Sequence, residues 1–250
     1  MPGDTVISTT AALAAVPVPG AAAGAALAGE RNLPPPPVAG LYGKLPARGD
    51  FIGRRLPAAF VEVWDNFLNA GLTEAAGQLG SSFADRYLVS PFWRFALGPG
   101  VAGPGTMVGV FAPSVDRVGR YFPLTAAVEL PGTCGPAAAL AAAETWLPFA
   151  EQLIFDALMP DGSLEALDEG IAALPIALPP AATVIPGGRL IETSLLAPGL
   201  AALAVSAEAP VLFWTLGSVD LSPRLLSFGA LPSPTVFAAF LDGAWEGKRS

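Results

Sequence analysis

Residues Ser90 to Leu97 read SPFWRFAL, an almost continuous apolar run into which a single charge, Arg94, has been placed. A Gly/Pro-rich turn follows, and then a second apolar run from Met107 to Ala112. Six-residue apolar runs bounded by turn residues have the length of strands, so the two form a predicted strand pair. A third run extends from Tyr121 to Leu130. Strands apolar on both faces must be covered on both, which predicts an α/β class with helices on either side of a sheet. Arg94 fits such a strand in one of two ways. It reaches an Asp, or it marks the edge of the sheet, because an unpaired buried charge is costly.

Helical spacing appears on both sides of these strands. Leu56, Phe60, Val63, Trp64, Phe67, Leu68, Leu72, Ala75 and Leu79 recur every three or four residues, with Pro57 suited to a first helical turn. That is an amphipathic core helix in which Trp64 packs. Ala137 to Met159 predicts one long helix bent near Pro148, and Leu164 to Leu174 a second, acidic one. A loop-rich passage spans Pro175 to Ala209 with a short helix at Leu190 to Leu196. Val211 to Leu216 and Leu225 to Gly229 read as strands, and Thr235 to Trp245 as a closing helix started by Ser233 or Pro234. Ahead of all this, residues 1–39 are Ala, Pro and Gly with few large side chains, ending in four prolines, and predict a disordered tail. A domain is expected over 40–246, beginning with a short strand at Leu41 to Leu45.

Composition narrows the chemistry. Among 250 residues there is no His and one Cys, which removes Ser-His-Asp and Cys-His nucleophile pairs, finger-type zinc sites and His-held haem. The net charge of -8 supplies no basic field for phosphates, so no nucleic-acid partner is expected. No segment is expected to insert in a membrane, since Pro and Gly interrupt the uncharged stretches. Charge is unevenly spread: residues 31–120 sum to +3, whereas residues 121–188 carry eight acids and no base. That polarity suits either a solvated acidic face or a partner of opposite charge.

GPGVAG at Gly98 to Gly103 has dinucleotide-type glycines, but a turn and a strand follow where a helix is needed. GLYGK at Gly40 to Lys44 lacks the spacing and the Ser or Thr of a phosphate loop, and Arg48-Gly49-Asp50 is a chance RGD. No cofactor is expected. PSVDRVGRYFP, Pro113 to Pro123, brings Ser114, Asp116, Arg117 and Arg120 close together between two strands. The forked guanidinium groups there suit either a network fastening loops or a site that recognises a carboxylate or phosphate on a partner. Asp50 and Asp116 could alternatively meet around a metal ion as a hydrolase.

GKLPARGDF (43–51), LPAAFVEVWDNFL (56–68), SPFWRFALGPG (90–100) and PSVDRVGRYFPLT (113–125), in that order, resemble the TagF (also ImpM) family of type VI secretion accessory proteins. FWTLGS (213–218) and FAAFLDGAW (237–245) are similar to that family's end. The resemblance implies a three-layer α/β/α sandwich around a central, mostly antiparallel or mixed sheet. It also implies a cytoplasmic, non-catalytic protein that restrains the apparatus after translation by binding its FHA-domain scaffold. It carries over no catalytic residue. Lys44, Arg48, Asp50, Trp93, Arg94, Ser114, Asp116, Arg117 and Arg120 match as motif or partner-binding candidates.

Overall fold

The elements form where apolar spacing and turn residues agree. In chain order they are β1 (Gly40–Gly43), β2 (Ile52–Arg54), α1 (Ala58–Leu79), α2 (Phe83–Leu88), β3 (Trp93–Leu97), β4 (Thr106–Ala112), β5 (Leu124–Leu130), α3 (Pro136–Ala143), α4 (Leu147–Leu158) and α5 (Leu164–Ala172). They continue with β6 (Thr183–Ile185), β7 (Gly188–Leu190), β8 (Val211–Thr215), β9 (Arg224–Phe228) and α6 (Ala238–Asp242). This computed structural model describes residues 36–130, 134–178, 183–185, 188–190 and 209–245.

Seven strands build one sheet in the order β2-β1-β5-β4-β3-β8-β9, and β6 and β7 pair separately. Among the described residues every strand pairing is antiparallel. The fold is therefore mixed α/β around an antiparallel sheet. The SPFWRFAL and TMVGVFA runs pair as expected, Trp93 opposite Phe111 and Leu97 opposite Met107, and β3 and β4 lie inside the sheet, buried along their whole length.

Alternation along the strands divides the interior into two clusters. Trp93, Phe95, Leu97, Met107, Phe111 and Phe213 join Phe60, Trp64, Phe67, Leu68 and Leu72 of α1 with Phe237 and Phe240. This cluster is dense in aromatic rings, and the indole N–H of Trp64 at its centre donates to Thr125 Oγ1 at 2.9 Å. Gly71 is required here, because a Cβ on it would collide with the Phe237 ring. Ala96, Val108, Val110, Ala126, Val128 and Leu212 instead join Leu140, Trp146, Leu147 and Ile154 of the α3–α4 segment and Leu167 and Ile171 of α5. That second cluster is largely aliphatic.

Several boundaries differ from expectation. The helix expected over Ala137 to Met159 is two helices, interrupted at Glu144 to Trp146, and Pro148 sits in the first turn of α4. A proline lacking its N–H is tolerated in a first turn and disruptive further in, so the break precedes Pro148. The closing helix is shorter than Thr235 to Trp245: a 3-10 turn at Pro234–Val236 leads into α6, which Gly243 ends in the left-handed region at φ 72°. Tyr121 precedes β5 and forms an isolated bridge with Val115. The helix expected from Leu190 lies outside the described residues beyond Leu190, which ends β7. Residues 1–35 of the expected tail also lie outside them. Among the described residues no helix is long and apolar enough to cross a membrane.

Candidate functional site

The loop between β4 and β5 is organised by one carboxylate. Asp116 is only 3% exposed. Its Oδ1 accepts from the backbone N–H groups of Val118 and Arg120, both at 3.0 Å. Its Oδ2 accepts from Lys44 Nζ at 2.7 Å and Arg120 Nε at 2.6 Å. An Asp that bonds its own downstream backbone is a standard way to set a tight turn, and Gly119 completes this one at φ 85°. Burial alone would raise the Asp116 carboxyl, but the hydrogen bonds from Lys44, Arg120 and the amides override it and hold the group well below the usual carboxylate range.

The same residues fasten neighbouring segments. Ser114 Oγ donates to the Lys44 carbonyl at 2.8 Å. The Tyr87 hydroxyl, from α2, donates to the Ser114 carbonyl at 2.9 Å and accepts from its N–H at 3.0 Å. Arg117 N–H donates to the Arg48 carbonyl at 3.0 Å, and Arg120 Nη2 donates to that of Gly49. Lys44 also lies 4.9 Å from the centre of the Phe51 ring, a cation–π distance. Lys44, Arg48, Ser114, Asp116, Arg117 and Arg120 are thus brought to one place. Asp50 is exposed beside them. Four donors fill the four acceptor positions of the Asp116 carboxylate, so the two-carboxylate hydrolase would have no free oxygen there. Among the described residues no three His, Cys, Asp or Glu side chains group as a metal site.

Trp93 and Arg94 are elsewhere and on opposite faces of the sheet. Trp93 Nε1 donates to the Phe240 carbonyl at 3.0 Å within the aromatic cluster. Arg94 is 2% exposed in an interior strand, so it does not mark a sheet edge. Its Nε and Nη2 fork onto Glu151 at 2.6 and 2.8 Å, and its Nη1 meets both Glu144 oxygens at 2.8 and 2.7 Å. Its guanidinium carbon stands 5.1 Å from the ring centre of Trp214, its cross-strand neighbour. Burial pushes the Glu144 carboxyl up, Arg94 opposes that, and the charge of Glu151 adds to the rise.

The uneven charge has an internal use that neither sequence reading named. Arg48 pairs with Glu165, Arg54 and Arg55 pair with Asp168, and Arg94 pairs with Glu144 and Glu151. Basic and acidic stretches of the chain bind one another. The partners Glu144, Glu151 and Tyr87 were not found from sequence. Each lies far along the chain from the residue it serves, and the only available signal was that Arg94 requires an acid.

With this geometry in view, comparisons with known proteins agree among themselves. Residues 40–174 match the model of the TagF N-terminal domain, type VI secretion system-associated. That span holds both charged clusters. No curated protein matches the chain. The solved structure of PA0076 from Pseudomonas aeruginosa PAO1 is similar at 37% identity and a TM-score of 0.69, covering 82% of this chain and 94% of that one. The family match takes in more than half of the chain, and the motifs it spans are those that form the Asp116 and Arg94 clusters; this chain belongs to the TagF family of type VI secretion system-associated proteins.

Proposed function

We propose that the chain is a non-catalytic, cytoplasmic regulator of a type VI secretion system that restrains the apparatus after translation by binding its FHA-domain scaffold. We also read its architecture as a three-layer α/β/α sandwich, since each face of the sheet supplies its own apolar cluster with its own helices. Family membership supports the link to type VI secretion. One geometric observation carries the rest: the loop richest in chemistry uses its buried carboxylate to hold itself rigid, which suits recognition and leaves that group unavailable for acid–base or metal work. The chain's net charge of -8 favours a protein partner over nucleic acid. Co-purification of the full chain with the FHA-domain scaffold encoded in the same system tests this. A stoichiometric complex is expected, and separate elution of the two at micromolar concentration would contradict it.

A further inference from the structure

The network around Asp116 accounts for Lys44, Ser114, Tyr87 and one edge of Arg120, and it leaves the tip of its own loop unexplained. Arg117 is exposed, and its guanidinium makes no hydrogen bond or ion pair among the described residues. Val118 beside it is 68% exposed, Phe51 on the adjoining segment 46%, and Tyr121 37%. Arg120 is tethered through Nε and Nη2, and its side chain remains largely exposed. Exposed apolar side chains are ordinary when scattered. Here Val118 lies between Arg117 and Arg120 in the loop, Phe51 follows the Arg48 and Gly49 carbonyls that accept from that loop, and Tyr121 packs on Phe83 and Tyr87 behind it; the segments are fixed by at least six hydrogen bonds.

Charge at the tip runs against the rest of the molecule. Lys44 already balances Asp116 and Arg48 is paired with Glu165, so Arg117 and Arg120 against the exposed Asp50 leave a local excess of one positive charge on a chain of net charge -8. A basic partner would be repelled at this spot, and a polyanion such as nucleic acid would be repelled by the whole. A polar acidic partner would pair with the arginines but leave Val118 and Phe51 wet. The complement is an acidic stretch that also carries a bulky apolar residue: carboxylates take the planar forks bidentately, and the apolar group covers the exposed side chains. Because the loop is already ordered, little conformational entropy is lost on binding.

We propose that the tip of the Pro113 to Pro123 loop, with the Arg48 to Phe51 segment beside it, is a docking surface for an acidic segment of a partner protein that bears a large apolar side chain. This rests on the reading that the chain works by binding a protein, and not on that protein being the scaffold.

The test uses the full chain and labelled synthetic peptides followed by fluorescence anisotropy, with NMR mapping of the contact. The probe is a short peptide alternating Glu and Leu; controls replace Glu by Lys, or Leu by Ser. Saturable binding of the Glu/Leu peptide is expected, with both controls weaker by about tenfold or more, the scale of one lost anchor. Arg117→Glu should weaken it by about the same factor, and affinity should fall as NaCl rises. Val118→Asp should also weaken it, and amide shifts should concentrate at residues 48–51 and 117–121. Since neither side chain is packed, both variants should keep the wild-type circular dichroism and Tm. No saturation by the Glu/Leu peptide, equal binding of the Glu-to-Lys control, unchanged affinity in Arg117→Glu, or shifts mapped elsewhere would overturn the proposal. The two readings fail separately. Scaffold binding by a chain that fails the peptide criteria would overturn this surface alone, whereas expected peptide behaviour without scaffold binding would overturn the scaffold assignment alone.

Discussion

Two charged clusters in this chain are near mirror images in sign. Around Arg94 one buried guanidinium faces two carboxylates, Glu144 and Glu151; around Asp116 one buried carboxylate faces two cations, Lys44 and Arg120. Each carries one charge in excess, and they dispose of it differently. A carboxylate can take up a proton, and Glu144, the surplus group at Arg94, has its carboxyl raised. A guanidinium cannot be neutralised in a protein, so the surplus at Asp116 is held out in solvent. The first cluster closes on itself under α3 and α4. The second leaves positive charge exposed, and it is that charge the proposed docking surface would use.

The contrast breaks most visibly at Arg94. Arg94→Met strands two partly buried carboxylates on the sheet and is expected to cost about 3–5 kcal/mol, the usual penalty for removing one partner of a buried pair. Chemical denaturation measures it, and adding Glu144→Gln and Glu151→Gln should recover much of the loss. A cost near zero for the single variant would mean that water already solvates the two acids.

Asp116→Asn comes next. It takes the counter-charge from Lys44 and turns the oxygen that accepts from Lys44 and Arg120 into an amide donor, so Tm should fall, by less than for Arg94→Met because Arg120 can swing into solvent. In Asp116→Ala, which removes both oxygens, amide exchange at Val118 and Arg120 should quicken. Unchanged exchange there would show that the loop is held by something other than the carboxylate.

Acid should act on the two clusters with opposite sign. Glu144 binds its proton more tightly folded than unfolded, so its unfavourable contribution is greatest above its raised value and is relieved as pH falls toward about 4.3, the ordinary glutamate value. Asp116 is lowered instead. Its contribution is full above the ordinary aspartate value of about 3.9 and is lost as pH falls through its folded value. In a Tm-against-pH series, wild type should gain on Glu144→Gln between neutral pH and about 4.3, and lose its advantage over Asp116→Asn below about 3.9. Parallel curves for all three would refute the assignment of surplus charge.

Legibility followed distance along the chain. The 3–4 spacing of α1 placed Phe60, Trp64, Phe67 and Leu68 inside, and the apolar runs gave β3, β4 and β8, because those signals are local. Asp116 and Arg120 are four residues apart and were grouped from sequence; Lys44, 72 residues away from Asp116, became their partner only through the β1–β5 pairing. Arg94 announced its need for an acid without naming Glu144 or Glu151, which a helix break brings to it. The break lies ahead of Pro148, and not at it, because proline is tolerated in a first helical turn and stops a helix before itself.

The smallest effect is expected at a pair that belongs to neither cluster. Arg86 and Asp220 are 3.9 Å apart and both well exposed, so Asp220→Asn should change stability by less than about 1 kcal/mol. A larger loss would mean that exposed pairs matter here as much as buried ones.

Calorimetric titration of the full chain into the FHA-domain scaffold of the same type VI system, run in parallel for wild type, Arg117→Glu and Glu169→Arg, tests most directly the joint claim that the chain binds this scaffold and does so through the exposed charge at the Asp116 loop. Both substituted residues are exposed, Arg117 at the loop tip and Glu169 on α5. Saturable binding by wild type and Glu169→Arg, weakened about tenfold in Arg117→Glu, is the predicted result. The absence of saturable heat across the micromolar range, or equal affinity for all three chains, would contradict it.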